Sequence, residues 1–401
     1  MPEGAIALDD VIAPLSRERF VREYWTKSHL LLKGAKGRFT PLLTWDDLNE
    51  ILEQHKPSPS AIRLFQEGRP IDPRLYIDGE GGQARLNAGG LVASLSQGAS
   101  LVMDGIHERD PCVGILASAF QDLFEAPVYV NLYASWGRTN CFTLHWDPQE
   151  VFILQLSGRK HWKVYAPTRA FPLKDDPDKA AEPAGPPVWE GILEDGDMLY
   201  MPRGWWHMAT PLDEPSLHLN FGLEPPNGAD FLRWWFPRLL RRADMRQNLP
   251  LGGDAAVRQT YFAGLLNSMS ADGQGRDLAG EFLREWNAYR RARPVVRLPL
   301  APGAQKIPLG MATAVRLAQR DGLFTECEPG ERTARFQVAG RSYNIWPQLV
   351  PALQRLSSRQ SITVGELCGG IGDQQVVTAL ITALETLARD GVILKEAPQV
   401  T

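Results

Sequence analysis

From about residue 60 to 225 the chain breaks into short apolar runs punctuated by Gly, Pro and Asp. Such punctuation leaves room for little except an all-β barrel or sandwich. Val151–Leu156 and Lys160–Tyr165, on either side of Ser157-Gly158-Arg159, read as a hairpin. Leu193-Glu-Asp-Gly196-Asp197 reads as a turn feeding a strand that ends at Pro202, and Ser216–Leu223 as the next strand. The stretch 171–188, rich in Pro, Ala and Asp, reads as a surface insertion.

On either side the periodicity changes. Residues 1–60 look helical: Ser16 caps a run that sets Phe20, Tyr24 and Trp25 on one side, Leu30–Lys33 is a short strand, and Thr44 caps a second helix. Residues 228–293 are helical again, and Phe231-Leu-Arg-Trp-Trp-Phe carries more aromatic surface than one small helix buries alone, which points to a packing or dimer surface. The last hundred residues begin with a hairpin over Thr333–Ile345 around Gly340. Helices follow at Trp346–Leu356, Thr363–Cys368 and Asp373–Arg389, then a strand at Val392–Lys395. Its ending, Leu-x-x-Asp-Gly-x-Ile, is that of a winged helix. A chain of 401 residues exceeds one ordinary core. It divides into a mainly β domain with N-terminal helices (1–226), a helical linker or dimerisation region (227–295) and an α+β winged-helix-like domain (296–401).

Several classes are excluded at this level. A net charge of −4 gives no sign of a polyanion binder. Residues 296–401 hold eleven Lys/Arg against nine Asp/Glu, with one Arg in Asp373–Arg389, so no basic recognition helix is present and no DNA binding is expected. No apolar run reaches the ~20 residues that cross a bilayer. The start of the chain lacks the basic and apolar regions of a signal peptide. Cys112, Cys141, Cys327 and Cys368 are scattered, without CxxC spacing, so neither a disulfide framework nor a zinc knuckle is indicated. The chain reads as cytoplasmic.

The chemistry lies in His145-Trp-Asp147, answered downstream by Pro202-Arg-Gly-Trp-Trp-His207. In a strand, positions i and i+2 share a face, so His145 and Asp147 can meet one metal while Trp146 points away. His207 comes from another strand and completes a His-x-Asp…His set suited to ferrous iron, with positions left open for a chelating cosubstrate and O₂. His218 is the rival third donor. Ser216, His218 and Asn220 share one face of their strand, and with His207 as the ligand His218 reads as a satisfied interior histidine. Lys160 alternates with Trp162 and Val164 on an otherwise apolar face, and an inward lysine is costly unless an anion meets it. The distal carboxylate of 2-oxoglutarate is such an anion; the alternative is a solvated basic tip with Arg159 and Lys163. Tyr133 can share that carboxylate, and Asn220 can hydrogen-bond the cosubstrate. Trp136, Trp146, Trp205 and Trp206 either line a groove or belong to the core. His29, His55, His107 and His161 have no partners in sequence.

These pieces carry a resemblance. "NLY", "HWDPQEVFILQLSGRKHWKVY", "GDMLYMPRGWWH" and "SLHLNFGL", with "FVREYWTKSHLLLKG" near the N-terminus, resemble the JmjC subgroup of 2-oxoglutarate oxygenases. Within it they resemble the cupin-like ribosomal oxygenases. The resemblance implies a double-stranded β-helix (a cupin or JmjC jelly roll), then a helical dimerisation region and a winged-helix domain. It implies Fe(II) on His145, Asp147 and His207, with 2-oxoglutarate held by Lys160 and Tyr133. The implied reaction consumes O₂, releases succinate and CO₂, and hydroxylates an Arg or His side chain of a ribosomal protein. A homodimer is implied as well. Two departures, Leu-Asn-Phe-Gly after His218 and the 171–188 insertion, fall where substrate choice is made. The same chemistry on a small molecule, a natural-product peptide precursor or an N-methyl-lysine is one alternative. A winged-helix regulator whose barrel senses a ligand, without catalysis, is the other.

Overall fold

The computed structural model describes residues 6–54, 61–81, 84–176, 182–252, 254–273, 277–289, 308–318, 323–326, 332–338, 340–357 and 361–395. The chain divides into two compact units, Met1–Pro225 and Pro226–Thr401.

The first unit is built on two antiparallel sheets. The larger runs Leu30–Leu32, Met198–Met201, Glu150–Ser157, Ser216–Leu223, Val128–Ser135, Ser100–Met103, Ile62–Gln66 and Arg69–Pro70 across its width. The smaller runs Trp189–Leu193, Lys160–Tyr165, Trp206–Pro211 and His145–Trp146. From residue 145 to 223 the chain shuttles between the two, as expected of a double-stranded β-helix. The period-2 pattern then has two apolar destinations. Phe152, Leu154, Leu132, Leu219 and Phe221 face outward into the main core, while Val151 and Ile153 face inward with Trp162 and Val164.

This topology overturns the expected hairpin. Glu150–Ser157 is flanked on both edges, by Met198–Met201 and Ser216–Leu223, so no edge remains for Lys160–Tyr165. The turn instead carries the chain from one sheet to the other. Gly158 makes that crossing with φ +66°, where a Cβ would lie 1.9 Å from the Pro215 carbonyl oxygen.

Helices cover the outer face. Ser16 caps Arg17–Glu23 by accepting from the Arg19 amide at 3.2 Å, and Phe20 and Trp25 pack on Phe152 and Tyr200. The reading of 60–225 as strands alone also needs correction, because Ala88–Ser96 and Pro111–Phe124 are helices. Asn87 and Asp110 cap them, and Asp110-Pro111 is a helix-start signature that strand counting overrode. Phe120 and Phe124 extend the aromatic layer over Phe152.

In the second unit, Gly228–Leu239 presents Phe231 and Trp234 to Phe282 of the helix Leu278–Tyr289, and the Trp234 indole donates to Glu285 at 2.6 Å. Part of the aromatic face is thus covered within the chain, while Leu232 and Phe236 remain exposed. Two three-stranded sheets follow, centred on Ala314–Leu317 and Ala334–Val338. The second contains the hairpin expected over Thr333–Ile345, as strands Ala334–Val338 and Arg341–Ile345. The expected helix at 346–356 is a helical turn, Val350–Gln354, between tighter turns at Pro347–Leu349 and Arg355–Ser357. Pro351 sits in its first turn, where proline is tolerated. Helices Val364–Cys368 and Gln374–Arg389 bury Leu367, Leu380, Leu384 and Leu387 in the core of this unit. Residues 177–181 of the 171–188 insertion, 290–293 of the helical region and His55 lie outside the described residues. Among those described, no helix is long and apolar enough to cross a membrane.

Candidate metal centre

His145 and His207 are register partners on neighbouring strands of the small sheet. Opposed residues of an antiparallel pair point to the same face with close Cβ atoms. The two rings accordingly lie 4.3 Å apart between centroids. Asp147 follows two residues after His145, and its Oδ2 lies 3.6 Å from His207 Nε2. One donor atom from each of His145, Asp147 and His207 falls within 4.8 Å of the other two.

The backbone orients both rings. His145 Nδ1 meets the Thr143 carbonyl at 2.7 Å and His207 Nδ1 meets the Trp205 carbonyl at 3.1 Å. A ring that donates from Nδ1 keeps the Nε2 lone pair free for a metal, an arrangement common around bound histidines. The turn before His207 is tied to the His-x-Asp segment, since Gly204 donates its amide to the Asp147 carbonyl at 2.8 Å. Gly204 takes φ +82° there, and a Cβ would meet the Pro172 ring at 2.6 Å. Burial, with His145 adding to it, pushes the His207 imidazole down to about 4 against the opposing pull of Asp147. The ring is neutral at pH 7, the form that ligates.

These residues open into a cavity of about 280 Å³ that also reaches Lys160, Tyr133 and Asn220. Lys160 points inward and is 2% exposed, not part of a solvated tip. Its Nζ donates to Ser135 Oγ at 3.0 Å, and Ser135 shares a hydrogen bond with Ser100 at 2.9 Å. Among the described residues no carboxylate pairs with it, and burial lowers its pKa to about 8. Tyr133 is held protonated, its pKa raised by burial and then by the Asp147 charge. It stacks almost parallel on His218 at 4.9 Å and 5°. Asn220 lines the same wall, and its Oδ1 has no hydrogen-bond partner among the described residues.

His218 lies outside the converging trio. The expectation of a satisfied interior histidine fails, because its Nδ1 is buried without a partner among the described residues. Burial, and then the Lys160 charge, hold it well below the usual histidine range. None of Trp136, Trp146, Trp205 and Trp206 lines the cavity. Trp136 packs on Trp45, Trp205 on His29, and Trp206 is buried with its indole donating to Thr168. His161 pairs with Glu190 and His107 accepts the Val130 amide, so both have structural partners. Ser135, Cys141 and Phe142 were not read from the sequence as part of the site. Ser135 sits two residues after Tyr133 on one strand, so the period-2 rule reaches it.

Comparison with known proteins identifies the domain that holds these residues. Residues 115–231 match the family model described as a JmjC domain. Ribosomal oxygenase 1 of Gallus gallus is 31% identical over 256 residues, which is 60% of this chain and 41% of that protein. The bifunctional lysine-specific demethylase and histidyl-hydroxylase NO66 of Drosophila persimilis is 27% identical over 268 residues, 62% of this chain and 37% of that protein. The chain thus spans about two fifths of the length of these relatives. Escherichia coli YcfD, solved as a ribosomal oxygenase, superposes with a TM-score of 0.56 at 19% identity, covering 96% of this chain and 99% of its own. The same protein solved with cobalt and 2-oxoglutarate gives the same figures. At that identity the likeness establishes the fold.

Proposed function

We propose that this chain, which carries a JmjC domain over residues 115–231, is an Fe(II)- and 2-oxoglutarate-dependent oxygenase. Its substrate is an Arg or His side chain of a protein, a ribosomal protein first among them. The observation that carries the reading is one cavity with two unmet demands. Three metal-type donors converge on one side, and on the other stands a buried ammonium with no counter-anion among the described residues. Two imidazoles and a carboxylate on one face suit a ferrous ion with open positions. When bound, iron and the 2-oxo acid supply the oxidising power for C–H hydroxylation, with O₂ consumed and succinate and CO₂ released.

The chain's own residues then have distinct tasks. His145, Asp147 and His207 hold the metal, and the two backbone carbonyls behind the rings keep them aimed. Lys160 has donated one N–H to Ser135 and retains two for a carboxylate, while the Tyr133 hydroxyl adds a neutral donor. Asn220, on the same wall, donates its side-chain amide nitrogen to the cosubstrate. The apolar faces of Trp162 and Phe142 keep bulk water out, which strengthens every polar contact inside.

Two further parts of the reading concern the second unit. The helices of residues 227–295 form a homodimer interface, supported by Leu232 and Phe236, at 54% and 58% exposure on Gly228–Leu239. The last hundred residues are a winged-helix-like module that contacts protein and not DNA, supported by their near-neutral charge. The cytoplasm, where iron stays ferrous, is the assigned compartment.

The test is succinate formation from 2-oxoglutarate under air with ferrous iron, comparing wild type with His145→Ala. Ribosomal proteins are then searched for the mass of one added oxygen. Turnover that disappears in the variant is expected. Absence of turnover with and without cell extract, despite bound iron, overturns the reading in favour of a ligand-sensing role.

A further inference from the structure

One ring of the cavity has no task so far. His218 lies at the centre of the large sheet, in register with Tyr133 on one side and Gln155 on the other. It is 3% exposed, stacked on Tyr133, and met edge-on by Trp162 at 5.7 Å and 76°. It lines the same cavity as Lys160, and among the described residues its Nδ1 has no hydrogen-bond partner. A buried polar atom left without a partner is costly, and a native fold that keeps one commonly reserves it for a ligand or an ordered water. A carboxylate offers about four lone-pair sites. Two N–H groups of Lys160 and the Tyr133 hydroxyl account for three of them.

We infer that His218 is a positioning residue, supplying the remaining hydrogen bond to the dicarboxylate held at Lys160. The inference rests on the oxygenase reading above and deepens it. His218 touches neither the metal donors nor the substrate's reacting carbon, and it acts by fixing where the cosubstrate lies. Its rings on both sides leave it no freedom to turn away. The alternative is that the imidazole is only a flat spacer between Tyr133 and Trp162.

The two are separated by binding, without turnover. 2-Oxoglutarate is titrated calorimetrically, under anaerobic conditions, into manganese-loaded wild type, His218→Phe, His218→Asn and Lys160→Met. Phe keeps the stack and removes the nitrogens; Asn can place its amide nitrogen near the position of Nδ1. We expect Phe to weaken binding about tenfold, the loss of one hydrogen bond to a charged group. Asn should stay within roughly threefold of wild type, by the same estimate for a retained bond. Manganese affinity should be the same throughout. If the Phe variant does not fold, His218→Leu takes its place beside Asn, to which it is close in size. Wild-type affinity in Phe or Leu, with binding lost in Lys160→Met, overturns this inference alone. Wild-type affinity in Lys160→Met overturns the oxygenase reading on which it stands.

Discussion

Lys160 makes the protein less stable, and removing it should show by how much. Burial lowers its pKa from 10.5 to about 8. Each unit corresponds to about 1.36 kcal/mol, so the protonated side chain carries a penalty on the order of 3 kcal/mol in the folded state. Below pH 8 the folded and unfolded chains both hold the proton and the penalty is complete. Between pH 8 and 10.5 the unfolded chain holds a proton that the folded one has released, so stability rises with pH across that window. Above it the penalty is gone. Lys160→Met replaces the amine with an apolar chain of similar length, and Ser135 still has Ser100 as a partner. The metal-free variant should therefore be more stable than wild type at pH 7 by about 2–3 kcal/mol, less whatever repacking costs. For a unit of this size that is a rise in Tm on the order of 5–10 °C. Scanning calorimetry at pH 7 and 9.5 should find the gain cut by more than half at the higher pH. Adding 2-oxoglutarate to the manganese-loaded proteins should raise the melting temperature of wild type further and leave that of the manganese-loaded variant unmoved. A variant that melts below wild type at pH 7, or a gain that is equal at both pH values, would refute the argument that an uncompensated ammonium sits in this cavity.

Two other substitutions probe the frame. Gly158→Ala should cost at least about 2–3 kcal/mol, because the new Cβ would meet the Pro215 oxygen at 1.9 Å in a left-handed backbone conformation; an unchanged melting temperature would show that the crossing between sheets tolerates a side chain. The pair Leu232→Glu and Phe236→Glu should convert the proposed dimer to a monomer in light scattering, and a wild type that already has the monomer mass removes the interface.

Much of the site could be read before any fold was known, because its chemistry follows the simplest periodicity. His145 with Asp147, and Lys160 with Trp162 and Val164, are i, i+2 sets, and the structure turns each set toward one space. Contacts between strands were beyond that rule. Nothing in residues 131–223 states that Val164 faces His207, that His207 faces His145, or that His218 lies between Tyr133 and Gln155. Hydrogen-bonding partners of strands are chosen by the whole topology, and the same blindness produced the false hairpin at Gly158. The Asp110-Pro111 helix failed for a different reason. Its start signal is local and clear, but the surrounding apolar runs outweighed it. The orphaned nitrogen of His218 has no signature in sequence at all, since satisfaction of a polar atom is a property of its neighbours.

The His145–Trp146 strand is two residues long and is held to the small sheet by the Trp206–Pro211 strand alone. Short terminal ladders of this kind open more readily than the body of a sheet. Any time the pair spends detached, the three donors no longer face one point, and apparent metal affinity falls by the fraction of molecules so disengaged. Occupancy and edge closure are thus two readings of one equilibrium. A substitution at Gly204, or in the Thr143 segment behind His145, can tune metal retention without touching a ligand, by shifting how often that edge is shut.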